Sequence, residues 1–325
     1  MKEMKVMNNF PSVLESINDL TLDQVNGLLS LADKFHYKDL GLPFMDRRPI
    51  VATSFLENST RTKHSFAIAI HKLGATYLDF NAETSSLKKG ETLEETLLTL
   101  NCQGVDLCII RTGVSHAFSE LKKTPPIKII NGGDGTNEHP TQALLDLFTI
   151  KSLGLELEGK TLAIIGDCRH SRVGTSLRHL LPQFGLKVLM CGPKEFLPQD
   201  FKPSDDIQFT DDMDEVTAKA DYFYLLRIQK ERHQSTDHKV YEDYSKNYGL
   251  DLEKLKKTSK PRPVFHPGPA NVGLEIGLDL MHSPYYLGYE QVKHSTAMRM
   301  AIIQAMILNG DKNIGWIHDE KRLFC

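Results

Sequence analysis

Short apolar runs alternate along this chain with longer stretches of helical periodicity. Ile50-Val51-Ala52-Thr53-Ser54-Phe55-Leu56 is apolar and β-branched and reads as a buried strand. Phe66, Ala69, Ile70 and Leu73 then recur at i, i+3, i+4 and i+7, one face of a helix that Gly74 closes. Thr21-Leu-Asp-Gln24 and Thr92-Leu-Glu-Glu95 have the spacing of capping boxes, each opening a helix. Further strands are predicted at 75–80, 106–110, 127–131, 161–165, 187–191, 222–226 and 263–266. HPTQALLDLFTIKSLG reads as a helix with Pro140 at its first position. Such alternation predicts an α/β fold of parallel sheets covered by helices on both faces.

A chain of 325 residues exceeds one ordinary core and predicts two domains of about 150 residues each. The break is placed in LGLELEGK: residues 1–154 form a first domain and 155–290 a second. QVKHSTAMRMAIIQAMIL, within 291–325, reads as a final helix packing back on the first domain. The polar stretch STDHKVYEDYSKNYGLDLEKLKK is expected to be a mobile loop with one short helix.

With 40% hydrophobic and 25% charged residues, the composition is that of a soluble globular protein. A formal charge of −3 offers no general attraction for nucleic acid or an anionic membrane. No apolar run is long enough to span a bilayer, and MKEMKVMNNF lacks a signal-peptide core. Five cysteines without CxxC spacing predict reduced thiols in a cytoplasm. Thirteen scattered histidines indicate no metal site.

Ligands of open α/β sheets bind at the carboxyl ends of strands. Ser59, Thr60, Arg61 and Thr62 follow the first predicted strand and occupy the first turn of the next helix. Two readings are open for that segment alone: a capped helix with a solvated arginine, or an anion site built on the helix N-terminus. Other strand ends carry Arg111, GGDGTNEHPTQ with His139 and Gln142, CRHSRVG with Arg172, Arg227-Ile228-Gln229, and HPGP. Cationic groups at the strand ends of two domains imply ligands with several negative charges, bound in the interdomain cleft. Arg61 and Arg111 suit a phosphate, and Arg172 with Arg227 suits carboxylates. Neither a Walker A sequence nor GxGxxG is present, so nucleotides are disfavoured.

FLENSTRTKHSF, SSLKKGETLEET, INGGDGTNEHPTQALLDLFTI, GDCRHSRVGTS, LLRIQKERH and HPGP occur in the order found in the aspartate/ornithine carbamoyltransferase family, which the chain resembles over residues 50 to 300. RIQKER with HPGP is similar to the aspartate branch. The resemblance implies two doubly wound domains joined by long helices. It implies that Ser59, Thr60, Arg61, Thr62 and Arg111 hold the phosphate of carbamoyl phosphate. Thr62, Arg111 and His139 would contact the carbamoyl oxygen and Gln142 its amino group. Arg172, Arg227 and Gln229 would bind the aspartate carboxylates, and Gly268 and Pro269 would offer backbone carbonyls near the carbamoyl nitrogen. It further implies a homotrimer in which Ser85 and Lys89 enter a neighbour's pocket, and an ion network of Glu57, Arg172 and Arg232. No cofactor is implied, because carbamoyl phosphate is already activated. A regulatory chain or a dihydroorotase is a possible partner. The alternatives are transfer to another amine such as ornithine, or a non-catalytic scaffold. Asn58, where the family has proline, and Val272, where many members carry arginine, depart from the pattern.

Overall fold

The computed structural model describes residues 9–38, 44, 48–80, 90–199, 201–228, 238–258 and 262–309. The chain divides into two compact units, one of residues up to Phe148 joined by those from Lys293 onward, the other Thr149–Val292.

The first unit begins with β1 (Val13–Leu14) and α1 (Leu22–Tyr37), the latter opened by a capping box in which Thr21 and Gln24 bond reciprocally. β2 (Ile50–Phe55), α2 (Thr60–Lys72), β3 (Thr76–Asp79), α3 (Leu93–Cys102), β4 (Val105–Thr112) and β5 (Lys128–Asp134) follow, and α4 (Pro140–Ser152) starts in the first unit and ends in the second. The Thr92–Glu95 box caps α3 as its spacing predicts. All strands pair in parallel, in the order β1-β5-β4-β2-β3. β4 and β5 are buried on nearly every residue, as expected of a sheet covered on both faces. Phe66, Ala69, Ile70 and Leu73 are fully buried along α2. Each such large apolar side chain contributes about 1.5–3 kcal/mol through burial.

The second unit holds β6 (Thr161–Ile165), α5 (Arg172–Leu180), β7 (Lys187–Cys191), β8 (Ile207–Thr210), α6 (Met213–Lys219), β9 (Tyr222–Leu225), α7 (His238–Tyr248), α8 (Leu252–Lys257), β10 (Val264–Phe265) and α9 (Leu278–Met281). Its sheet is also wholly parallel, ordered β10-β9-β6-β7-β8 around a core that includes Ala163, Ile165, Phe223, Leu225 and Val264. The last helix, α10 (Gly288–Asn309), starts in the second unit and continues in the first. There Lys128 Nζ donates to the carbonyls of Met306 and Ile307 at 2.8 and 3.2 Å, satisfying acceptors near the helix end.

Three expectations need correction. β1 and β8 were not anticipated: one has two residues and the other is a four-residue strand in which Gln208 is exposed, too short for a clear period-two signal. The segment expected to be a mobile loop contains two helices, α7 and α8. Tyr241, Tyr244 and Tyr248 recur at i, i+3 and i+7, and these three side chains pack with Ile228 and Leu274. Finally, β4 does not end before Arg111 but runs through Thr112.

Candidate active site

In the first sheet the chain runs outward from β2 to β3, crosses back, and continues from β4 to β5. The direction of winding therefore reverses between β2 and β4, which opens a crevice at their carboxyl ends. The helix entered from β2 carries Ser59, Thr60, Arg61 and Thr62. Ser59 occupies the N-cap position, yet its hydroxyl makes no capping hydrogen bond. The first helical bond is Lys63 N–H to the Ser59 carbonyl at 3.3 Å, so the N–H groups of Thr60, Arg61 and Thr62 have no helical acceptor. Those donors and the helix dipole favour an anion. Arg61 is exposed and Thr62 buried.

Arg111 reaches the same crevice from β4. The β4–β5 register shifts between Ile110 and Thr112, an irregularity of the kind that re-aims a side chain. Its Nη1 is 3.5 Å from the Gly132 carbonyl, and its Nε makes a 3.5 Å ionic contact with Glu57. A Cβ on Gly132 would stand 3.1 Å from the Ile110 carbonyl oxygen, so glycine lets β5 approach here. Glu57, expected to join Arg172 and Arg232, is thus engaged with Arg111 within its own unit, and Arg232 lies outside the described residues.

His139 stands directly before α4 and is 3% exposed. Its Nε2 lies 3.4 Å from Thr62 Oγ1 and its Nδ1 3.4 Å from Thr141 Oγ1, and its carbonyl accepts from Gln142 N–H at 3.0 Å. The fold thereby brings Thr62, His139 and Gln142 together. A buried network sets the preceding loop: Asn131 Nδ2 and Glu138 N–H donate to Asp134 Oδ1 at 2.7 and 3.1 Å, and Glu138 is bonded to Ser16 and to Ile17 N–H. Burial pushes the Asp134 carboxyl up, against the opposing pull of those donors. Sequence reasoning missed this support, and also Asp146, which accepts from Gln142. Polar side chains inside GGDGTNEH and one acid within an apolar helix were the available signals.

The second sheet reverses between β6 and β9, whose ends carry Arg172 and Arg227. Gly166 ends β6 at φ +134°, where a Cβ would stand 2.9 Å from Leu226 Cβ. Arg172 is the first residue of α5 and 7% exposed, and Ser171 caps that helix by accepting from Gly174 N–H at 3.0 Å. Asn271 Nδ2 donates to the Ile228 carbonyl at 3.0 Å, tying the exit of β9 to the HPGP loop. Within that loop Gly268 N–H donates to His266 Nδ1 at 2.8 Å, and the Gly268–Pro269 peptide is cis. Glu275 Oε1 accepts from Asn271 N–H at 2.5 Å and lies 3.3 Å from His266 Nε2. Val272 is half exposed beside them. Ser85, Lys89 and Gln229 lie outside the described residues. Among the described residues no group of three or more His, Cys, Asp or Glu could hold a metal ion.

Residues 13–152 match the carbamoyl-phosphate-binding domain of aspartate/ornithine carbamoyltransferases, and residues 158–306 match the aspartate/ornithine-binding domain. The aspartate carbamoyltransferase catalytic subunit of Lactococcus lactis is 40% identical over 301 residues, covering 92% of this chain and 96% of the relative. The aspartate transcarbamoylase of Trypanosoma cruzi with carbamoyl phosphate and aspartate is similar at a TM-score of 0.78 and 30% identity, covering 91% of this chain and 97% of that one. The same enzyme with N-(phosphonacetyl)-L-aspartic acid gives 0.79 and 30%, covering 91% and 96%. Two domain models matched in order, and a relative this similar over nearly its whole length, make the chain a member of the aspartate/ornithine carbamoyltransferase family.

Proposed function

We propose that this chain transfers the carbamoyl group of carbamoyl phosphate to the α-amine of L-aspartate, giving N-carbamoyl-L-aspartate and phosphate, an early step of de novo pyrimidine synthesis. The observation that carries the reading is an arginine pair at the winding reversal of each sheet: Arg61 with Arg111, and Arg172 with Arg227. One pair, joined by open backbone donors, suits a phosphate. The other suits a dicarboxylate, which guanidinium groups bind bidentately. Ornithine has a cationic side chain, which Arg227 would repel.

In this reading Ser59, Thr60, Arg61, Thr62 and Arg111 hold the phosphate, with Ser85 contributing. His139, with Thr62 and Arg111, binds the carbamoyl oxygen, and Gln142 meets the amino group. Arg172, Arg227, Gln229 and Lys89 bind aspartate, while Gly268 and Pro269 present carbonyls. The amine nitrogen forms a bond to the carbamoyl carbon, the carbon–oxygen bond to phosphate breaks, and the departing phosphate takes the amine proton. Between these events the carbonyl oxygen carries negative charge. Positioning, and donors aimed at that charge, are the whole of the catalysis this chemistry requires.

The direct test supplies carbamoyl phosphate with either aspartate or ornithine and measures the carbamoylated product. Product from ornithine and none from aspartate would reject the assignment. We further propose a cytoplasmic homotrimer with shared sites; no helix among the described residues is long and apolar enough to cross a membrane. Arg61→Ala and Lys89→Ala proteins, each inactive alone, should regain roughly a quarter of wild-type activity on random subunit exchange, because each mixed trimer holds one intact pocket. No recovery despite verified exchange would reject the shared site.

A further inference from the structure

Gln142 and Asp146 stand four residues apart on one face of α4, and the Gln142 amide Nε2 donates to Asp146 Oδ1 at 2.9 Å. Both side chains are buried, Asp146 at 1% exposure. An ionised carboxylate can only accept, so the contact fixes the polarity of the amide. Its NH2 faces Asp146, and the carbonyl Oε1 is the end left for a ligand. A second buried charge stands by. Arg299 of α10 lies 4.9 Å over the Phe66 ring and donates to Ser65 Oγ. Burial pushes its guanidinium down to about 9, the Asp146 charge pulls the other way and Arg111 adds to the lowering, so the group stays charged at neutral pH. Ser65 Oγ in turn reaches the carbonyls of Arg61 and Thr62 at 2.7 and 3.0 Å. The buried set therefore connects the first turn of α4 with the first turn of α2.

We infer that Asp146 is a positioning residue that makes Gln142 an obligate acceptor, and that this selects an acyl phosphate whose acyl carbon bears N–H over one whose acyl carbon bears a methyl group. The inference rests on the reading of Gln142 as partner of the carbamoyl amino group. Carbamoyl and acetyl groups are close in size and shape, so cavity volume alone separates them poorly. A site built to hydrogen-bond a donor rejects the analogue lacking it more strongly, because its own polar atom is then left unmatched. An amide free to turn could offer either end. Asp146, with Arg299 opposing its charge, removes that freedom.

The test uses two stable analogues that differ only at this group, phosphonoacetamide and 2-oxopropylphosphonate, bound to the full-length protein in calorimetry. Wild type should bind the amide at least about tenfold more tightly than the methyl ketone, the worth of one well-placed hydrogen bond. Equal binding overturns the inference whatever the variants do. Asp146→Asn can donate to or accept from Gln142, so the ratio should fall several-fold, to the part that the Gly268 and Pro269 carbonyls sustain. Asp146→Asn combined with Arg299→Gln removes both buried charges together, and serves if the single variant leaves an uncompensated charge that prevents folding. A role confined to stability would weaken both analogues equally and leave the ratio unchanged, which also overturns the inference. Carbamoyl aspartate formation by the wild type is measured alongside: its absence rejects the proposed function, whereas an active wild type with an unchanged ratio rejects the role of Asp146 alone.

Discussion

At the winding reversal of the first sheet, Ser59 holds the N-cap of α2 but its hydroxyl makes no capping hydrogen bond, and Arg61 lies exposed on the first turn. At the corresponding place in the second sheet, Ser171 closes the N-terminus of α5 through Gly174 N–H, and Arg172 is buried. Both sheets reverse their winding at that point, and the helix ends are treated oppositely. An uncapped end keeps several diverging backbone donors, which fit the three oxygens of a phosphate. A capped end has used part of that capacity, and its positive charge comes from a planar guanidinium, which fits a carboxylate. In the proposed reading, the open cap goes with the phosphate and the filled cap with the carboxylate.

The comparison can be broken at either end. Arg61→Ala should lower turnover by about 10² or more with unchanged far-UV circular dichroism, because it removes a donor to developing charge from an exposed position. Near-normal turnover would move the phosphate site away from α2. His139→Ala should lower kcat by about 10² while changing carbamoyl phosphate affinity far less, since its bond strengthens only as the carbonyl becomes an oxyanion. A rise in the Michaelis constant alone would contradict that role. Arg227→Ala should weaken aspartate and its competitor succinate by roughly tenfold to a hundredfold and spare carbamoyl phosphate. Equal succinate inhibition of variant and wild type would remove Arg227 from the aspartate site. The smallest effects are the sharpest for the caps themselves. Ser171→Ala should cost about 1 kcal/mol in denaturant unfolding, and Ser59→Ala close to nothing. Ser59→Ala should instead reduce the thermal stabilisation that added phosphate gives the wild type. Equal losses in the two apo variants would erase the distinction drawn between the helix ends.

Much of the architecture was legible because the signals were local. Both capping boxes formed where Thr21 and Thr92 announced them, and the apolar stripe of α2 is buried as its spacing predicts. The parallel sheets followed from strand–helix alternation. What escaped depends on neighbours remote in sequence. Arg111 lies inside β4 because it pairs with Phe55 of β2, while the register against β5 shifts beside it. The tyrosine stripe of α7 was masked by a polar composition, although its period is helical. Asp146 and Arg299 sit within LLDLFTI and MRMAII, where a lone charge reads as a helix's wet face. Both are buried, and nothing in linear spacing links position 146 to 299.

The contact between Arg299 and Ser65 joins positions 234 apart, with all of Thr149–Val292 between them in sequence. The second unit is continuous and can acquire every strand of its sheet without waiting for α10. The first is interrupted: its opening 148 residues lack the helix that carries Arg299. The cost of closing a loop rises only slowly with its length, and condensation of the intervening chain shortens the loop further. On the ribosome, every strand of the second unit is therefore synthesised before the first unit receives the part of α10 that carries Arg299.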